Sequence, residues 1–494
     1  MKTSPLLPPE GTVRDWLDYR ATEVGVAAVF PETGEELDWR ALRDEARALA
    51  TVLTSEGAEK SDSIAILHPN GREGLIALYA ALYGGFRATM INLAAGRDAI
   101  AYSLDHCGAR LALVHDNTVP AFNDVAPDGL SRVTPTAPVD VELCEIEPQD
   151  HALLMYTSGT TGKPKGVVHT HASLLAGGWT SATAHALKPQ DRGFCVLPIC
   201  HINGLCVTVM GALVSGGSLT IVPKFSASRF WEQARDTQVT WFSVVPTIIS
   251  HLLHAEVNPD QATIDRLRFG RSASSALAVE TQRGFEDRFG VPIVETMGLT
   301  ETAAQILSNP LPPGVRKIGS PGQAFGNDVQ IWTSDQTTAP IDQEGEIVVR
   351  GPNVMLEYLN NAEATAASFA GEWLRTGDLG RMDADGYIYV TGRLKELIIK
   401  GGENIAPREI DEALYGHPDV VEAAAFARPC GTYGERVEAA VRLREGSGVA
   451  GDMLIALCTQ SVGRFKAPDV VHILDELPKG PSGKIQRLKL AEML

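Results

Sequence analysis

The sequence predicts an α/β protein in two parts: a large N-terminal domain of two βαβ layers plus a small β-barrel, then a C-terminal α+β domain. Three observations predict it. At 494 residues the chain is longer than one hydrophobic core serves, so it divides into domains. Up to about residue 296, short apolar runs alternate with helical stretches, the pattern of parallel strands covered on both faces. From about residue 315 the texture changes to short strands and turns without intervening helices, which suits a small barrel or bent sheet.

Taken in order, Trp16, Leu17 and Tyr19 lie at helical spacing within 12–22, and Asp38 is a plausible cap for a helix running to Leu53. Ser63-Ile-Ala-Ile-Leu-His is a buried strand, Pro-Asn-Gly a turn, and 74–83 an Ala-rich helix. Strands at 88–92 and 111–114 continue the alternation, and 151–155 precedes a Gly-rich loop after which 168–183 is expected as a helix. A second series follows: strands at 193–197, 218–222 and 240–244, with helices at 205–215, 228–238 and 246–254. Residues 268–276 and 291–296 are strand ends carrying polar groups, where open α/β sheets place ligands. Short strands at 318–322, 329–332, 345–350 and 387–390 form the barrel segment. A basic, Gly-rich turn then sets a boundary, giving 1–392, a connecting 393–396 and 397–494, with a helix at 408–415.

Composition narrows the function. Apolar residues make up 44% and charged residues 21%, as in a globular enzyme. A net charge of −18 argues against nucleic acid and anionic membrane as partners. Seven cysteines without C-x-x-C spacing suggest reduced thiols and a cytoplasmic setting; Cys195, Cys200 and Cys206 read as core thiols rather than metal ligands. No signal peptide is evident, and the most apolar stretch, 205–222, is broken by Thr, Ser and Gly and makes a poor membrane span.

Residues 156–171 read Tyr-Thr-Ser-Gly-Thr-Thr-Gly-Lys-Pro-Lys-Gly-Val-Val-His-Thr-His. Gly159, Gly162 and Gly166 let backbone N–H groups turn toward an anion, and Thr157, Ser158, Thr160 and Thr161 add hydroxyl donors. Lys163 and Lys165 supply positive charge for a polyphosphate. The glycine spacing and Pro164 exclude a Walker A loop. The stretch resembles the signature loop of the adenylate-forming superfamily, which contains acyl-CoA synthetases, luciferases and peptide-synthetase adenylation domains.

Five further segments match that superfamily in order, so the resemblance covers nearly the whole chain. In Pro478-Lys-Gly-Pro-Ser-Gly-Lys-Ile-Gln-Arg the resemblance makes Lys484 the lysine that reaches the substrate carboxylate and the α-phosphate. An ammonium there offsets the charge of two anions brought together. Glu295-Thr-Met-Gly-Leu-Thr-Glu is similar to the motif in which Thr300 would bind the α-phosphate and Glu301 a Mg²⁺ ion, with Glu295, Thr296 and Met297 at the nucleotide. Met297 stands where most relatives stack a Tyr on adenine; a thioether also packs on a purine. Asp378 would accept both ribose hydroxyls, Arg393 would add a cationic contact, and Ser275 and Ala276 occupy the adenine loop with Ser274. The resemblance further implies a mobile C-terminal domain turning about Lys395, which would remove Lys484 and bring Lys400, Gly401 and Gly402 to line a pantetheine tunnel.

The implied reaction is that of an AMP-forming acid–CoA ligase: carboxylate and ATP give acyl-AMP and pyrophosphate, then CoA displaces AMP. Its co-substrates are ATP, CoA and a small carboxylic acid, with Mg²⁺; a homodimer is compatible with the sequence. Competing readings are an adenylation protein loading a carrier domain, a luciferase-like monooxygenase and an inactive nucleotide sensor; intact Lys484, Glu301 and Asp378 argue against the last. For the acid, His201 matches the residue at the mouth of the acyl pocket, and Asn203, Arg271, Ser272, Ser274 and Trp179 form a polar set unsuited to a fatty tail. The segment 268–277 looks like relatives that activate very small polar acids. Arg271 could clamp a second anion, or it could pair with a structural carboxylate behind the strand. The expected substrate is a short polar or doubly anionic acid such as sulfoacetate, oxalate or malonate, with a compact aromatic or short-chain acid as the alternative.

Overall fold

The structure is a computed structural model describing residues 7–135, 137–157, 164–480 and 484–494. Its first layer is a seven-stranded sheet in the order Glu357–Tyr358, Lys165–Thr170, His151–Thr157, Arg87–Met90, Ser63–Leu67, Leu111–Val114, Ser131–Val133. The strands from His151–Thr157 to Ser131–Val133 are parallel. Every residue of Ser63–Leu67 is buried, as a strand covered on both faces demands. The connecting helix Arg72–Gly84 buries eleven of its thirteen residues and ends on Gly85 at φ +82°.

The second layer has nine strands in the order Gln323–Ala324, Gln305–Ser308, Ile293–Gly298, Phe269–Ser272, Trp241–Val244, Arg192–Cys195, Ser218–Ile221, Val26–Phe30, Glu35–Asp38. Its six central strands, Ile293–Gly298 to Val26–Phe30, are parallel. Two glycines allow the close packing of this sheet. A Cβ on Gly193 would sit 2.6 Å from the Trp241 ring, and one on Gly270 would sit 2.3 Å from the Phe242 ring. Phe194, Phe230, Trp231, Phe242, Phe285 and Phe289 form an aromatic cluster on that face.

The expected barrel segment is a small curled antiparallel sheet of Asp328–Trp332, Gly345–Arg350, Trp373–Met382 and Phe369–Ala370, with Ile388–Arg393 also paired to Trp373–Met382. The C-terminal part carries its own five-stranded sheet, in which Val420–Cys430 and Gly434–Leu443 form the long central hairpin. A separate apolar cluster of Ile398, Ile405, Ile410, Val437 and Leu454 sits beneath it.

Four local expectations are corrected. Residues 168–183 are not one helix: Lys165–Thr170 is a strand pairing antiparallel with His151–Thr157, and the helix is His171–Ala184, capped by Thr170. Val167 and Val168 favour the pleated surface, so a hairpin flanks the Gly-rich loop. The segment 205–215 divides into a π-helix, Asn203–Met210, and a short α-helix, Gly211–Ser215. Residues 318–322 are turns rather than a strand, because Ser320 and the two positive-φ glycines Gly319 and Gly322 bend the chain there. The barrel segment does contain a helix, Ala362–Ser368, capped by Asn361. Among the described residues no helix is long and apolar enough to cross a membrane.

Because the Gly270 site lies between the Phe242 ring and Ile293, Gly270→Ala should overpack the sheet and cost about 1–3 kcal/mol. The expected result is a lowered thermal unfolding midpoint with secondary structure retained; an unchanged midpoint would contradict this packing.

Candidate active site

The carboxyl ends of three adjacent parallel strands open onto one cavity of about 230 Å³. Trp241–Val244 leads into Val245, Pro246 and Thr247; Phe269–Ser272 leads into Ser274, Ser275 and Ala276; and Ile293–Gly298 supplies Glu295, Thr296, Met297 and Gly298. All of them line the cavity. The facing wall comes from the curled sheet and the turn after it, through Asp378, Gly392, Arg393 and Glu396. The C-terminal part closes the cavity with Arg408, Glu412 and Lys484. A crevice at the carboxyl ends of parallel strands is where this class of sheet places ligands.

Charge in the cavity is set by burial and by neighbours. Asp378 is 4% exposed and faces Arg393 across the strand pair, Oδ1 to Nε 2.7 Å. Burial lifts its carboxyl above the usual range, while the charges of Arg393 and Lys484 oppose that rise. Glu295 is 2% exposed; Oε1 accepts from the Leu277 backbone N–H at 3.1 Å and Oε2 has no partner among the described residues. Burial pushes Glu295 up to about 7 despite the charge of Arg408. Burial and the neighbouring Arg393 pull the Lys484 ammonium down to about 8, against the pull of Asp378 and Glu301.

At the Gly-rich hairpin, Thr157 ends one strand and Lys165 begins the other; Ser158, Gly159, Thr160 and Thr161 lie outside the described residues. The Lys165 ammonium sits 4.4 Å from the centre of the Tyr358 ring. The same Tyr358 donates its hydroxyl to Glu301 Oε1 at 2.8 Å, and the Glu301 carbonyl accepts from the Met355 N–H at 2.7 Å. Thr300 and Glu301 share a short 3₁₀ turn, which the buried His169 braces by donating Nε2 to the Thr300 carbonyl at 2.7 Å. Glu301 is therefore an oriented hard oxygen donor. No group of three or more His, Cys, Asp or Glu among the described residues forms a cation cage. That donor set fits a Mg²⁺ held by one carboxylate together with nucleotide phosphates.

Behind the cavity wall, Arg271 is 2% exposed. Its Nη1 donates to Asn203 Oδ1 at 2.8 Å and Ser243 Oγ at 3.0 Å, and Nε donates to Gln305 Oε1 at 3.1 Å. Among the described residues no carboxylate pairs with it. The alternative expected from the sequence, a structural counter-ion behind the strand, is not found among the described residues, and burial alone pulls the guanidinium down to about 9, still charged at neutral pH. The π-helix aims Asn203 so that its Nδ2 also donates to Ser274 Oγ at 3.2 Å. Ser274 holds φ +77°, a conformation disfavoured outside glycine, and it lines the cavity. Arg271 is thus tied through Asn203 to the cavity wall. Ser272 falls on the opposite face of the pleat and is fully buried. Trp179 is 3% exposed and packs on Phe325, with ring centres 5.9 Å apart, and His201 is half-buried in the turn before the π-helix.

Comparison with known proteins gives the same reading from sequence. Residues 17–359 match the AMP-binding enzyme family, and residues 409–484 match the AMP-binding enzyme C-terminal domain. This chain belongs to the AMP-binding enzyme family. It is 43% identical to a sulfoacetate–CoA ligase of Cupriavidus necator, covering 93% of each chain. It is 34% identical to an oxalate–CoA ligase of Arabidopsis thaliana, covering 90% of this chain and 91% of that one. Among solved structures it resembles an o-succinylbenzoate coenzyme A synthetase of Bacillus subtilis in complex with ATP and magnesium ion. That match has a TM-score of 0.85 at 29% identity, over 98% of this chain and 100% of the other.

The structure brings Lys484 to the cavity and leaves the other C-terminal candidates elsewhere. Lys400 is 5% exposed, donates Nζ to the Phe465 carbonyl at 2.8 Å and faces the Tyr433 and Phe465 rings. Gly401 and Gly402 form the adjacent turn at φ +62° and +88°. Lys395 lies exposed in the turn that follows Ile388–Arg393. Sequence reasoning missed Gln305 and Ser243 around Arg271, Tyr358 and His169 behind Glu301 and Thr300, and Arg408, Glu412 and Arg487 on the C-terminal wall. His169 and Arg487 lie inside the stretches 156–171 and 478–487, which could have pointed to them; Gln305, Ser243, Arg408 and Glu412 meet the site through packing alone.

Lys484 loses its proton as pH rises through about 8. Labelling with an amine-selective reagent should therefore be half-maximal at Lys484 near pH 8, roughly two units below an ordinary surface lysine. Peptide-resolved mass spectrometry over a pH series measures this; half-labelling near pH 10 would contradict the burial of the ammonium.

Proposed function

We propose that this chain joins a short, doubly anionic carboxylic acid to coenzyme A. The reaction class is AMP-forming acid–CoA ligation. In the first step a carboxylate oxygen attacks the α-phosphorus of ATP, the bond to the bridging oxygen breaks and pyrophosphate leaves with that electron pair. In the second, the CoA thiol gives up its proton as sulfur attacks the acyl carbonyl, and AMP leaves. The observation that carries the choice of acid is the buried Arg271, a cation with no carboxylate partner among the described residues, linked through Asn203 to Ser274 on the cavity wall. The names of the sulfoacetate and oxalate ligases among the relatives support the same choice.

Each side chain then has a task. Asp378 accepts from the ribose hydroxyls with the oxygen that Arg393 leaves, and Arg393 keeps that carboxylate ionised against its burial. Ser275, Ala276 and Met297 receive the base, with the unpartnered Glu295 Oε2 as an acceptor for its exocyclic amine. Thr157, Lys165 and the loop residues between them take the phosphates. Lys484 neutralises the meeting of the carboxylate and the α-phosphate. When bound through Glu301, Mg²⁺ supplies positive charge to the phosphate oxygens. The second anion of the acid docks against Asn203 and Ser274, with the Arg271 charge facing it; His201 and Trp179 border that pocket. We take 1–392 and 397–494 as separate domains joined at 393–396, with the C-terminal domain turning about Lys395. The turn would withdraw Lys484 for the second step and present Lys400, Gly401 and Gly402 to the pantetheine arm.

Two outcomes test this. ATP–pyrophosphate exchange over a panel of acids should favour sulfoacetate, oxalate or malonate over octanoate. Free CoA should then consume the adenylate; a preference for octanoate would overturn the assignment. Arg271→Met should lower kcat/KM for the doubly anionic acid by roughly ten- to hundredfold with the KM for ATP unchanged. Equal loss with monoanionic acids would mean Arg271 serves only the fold. Separately, Lys484→Ala should nearly abolish adenylate formation yet leave thioester formation from supplied acyl-AMP largely intact. Equal loss in both half-reactions would contradict domain alternation.

A further inference from the structure

Glu422 lies outside the reacting groups named above, yet its side chain is 0% exposed and three basic groups converge on its Oε1. Lys479 Nζ is 2.8 Å away, His251 Nε2 3.3 Å and Arg442 Nη2 3.4 Å. Burial alone would raise this carboxyl; His251, Lys479 and Arg442 overcome that and pull it down to about 2. The three partners come from different places. Arg442 belongs to Gly434–Leu443, the strand paired with Glu422's own strand. His251 belongs to the helix Pro246–His254 of the large domain, whose first residues Pro246 and Thr247 line the nucleotide cavity. Lys479 stands on the hairpin that carries Lys484: it bridges to Ile485, the Gly480 N–H donates to the Lys484 carbonyl at 2.7 Å and the Gln486 N–H donates to the Pro478 carbonyl at 2.8 Å.

We propose that Glu422 is an interdomain latch, a positioning residue that holds the Lys484 hairpin against the nucleotide cavity during the first half-reaction. One carboxylate oxygen joins the hairpin, the C-terminal sheet and the large domain, so the hairpin and the domain interface are fixed together. The neighbouring residues reinforce the same seam: Ser250 Oγ donates to the Val421 carbonyl at 2.8 Å, and Ala423 lines the cavity. Two further contacts across the interface involve residues outside the hairpin. Arg408 bonds the Val390 and Gly319 carbonyls, and Glu412 accepts from the Val279 N–H at 3.2 Å. If the C-terminal domain turns away, Glu422 keeps Lys479 and Arg442, which belong to its own domain, and loses only His251. The His251 contact therefore stabilises the docked orientation selectively, and a bond that favours one orientation shifts the population by its differential strength. A latch of this kind is as strong as docking requires and still releasable, because the buried carboxylate stays paired on leaving.

This inference rests on the reading of Lys484 as the lysine of the first step, and the test separates the two. Glu422→Gln and His251→Ala are compared with Lys484→Ala in the full-length protein, measuring ATP–pyrophosphate exchange and thioester formation from supplied acyl-AMP. Both latch variants should lower the exchange kcat about tenfold, equivalent to about 1.4 kcal/mol of docked orientation. Thioester formation should be unchanged or faster and the KM for ATP unaltered. His251→Gln, which still presents an N–H donor, should recover most of the loss. If Glu422→Gln fails to fold, His251→Ala decides alone, since it leaves the C-terminal sheet untouched. Equal loss in both half-reactions, or no loss in His251→Ala while Lys484→Ala shows the split, overturns the latch. Absence of the split in Lys484→Ala overturns the reading of that lysine instead.

Discussion

Parallel strands point their carboxyl ends to one edge, and the central constraint of this molecule is what that edge must hold. The core behind it is apolar and covered on both faces, so charge gathers at the strand ends and just past them. Residues 245–247, 274–276 and 295–298 meet there because their three strands are neighbours in the sheet. Three cations come to this edge from different directions. Arg271 rises within the sheet, Arg393 arrives from the curled sheet, and Lys484 comes from the C-terminal hairpin.

Those cations are held in different ways, and the difference matches what each could do. Arg393 is paired with Asp378 and 45% exposed, so its charge is partly spent before any ligand arrives. Arg271 is enclosed by amides and hydroxyls that fix its geometry without neutralising it. Burying a guanidinium in this way is unfavourable unless an anion completes the site, and a completing anion would gain from the low local dielectric. Lys484 is placed by a hairpin whose Ile485 packs on an apolar cluster of the C-terminal part, so its position follows from how that part packs against the cavity.

The support behind the candidate site residues is mostly buried and polar. His169 braces the carbonyl of Thr300, Tyr358 orients the carboxylate of Glu301, and Asn203 carries hydrogen bonds to Arg271, Ser243 and Ser274 at once. The π-helix that presents Asn203 and the positive φ of Ser274 are local departures from regular geometry. They lie where the acid is proposed to bind, as strain at functional positions commonly does.

By itself the sequence foresaw two α/β layers, a strand-rich segment after them and a C-terminal α+β part, and it nominated Thr300, Glu301, Asp378, Arg393 and Lys484 as site candidates. These rest on local chemistry: apolar runs of strand length, glycines that admit positive φ, and motifs whose residues lie within a few positions of each other. It did not foresee the strands Val26–Phe30 and Glu35–Asp38 of the second layer. It misjudged 168–183 as one helix because the Val pair beside the loop carries no helical period that separates it from His171–Ala184. It also left the partner of Arg271 open between an acid and a structural carboxylate. Only the tertiary structure decided that neighbourhood, because Asn203, Ser243 and Gln305 come from three segments 28 to 68 residues away from Arg271 along the chain. The same holds for Glu422, whose contact with His251 spans 171 residues. Sequence patterns record which face of an element is buried; which buried polar groups meet is settled by how the sheets and domains pack.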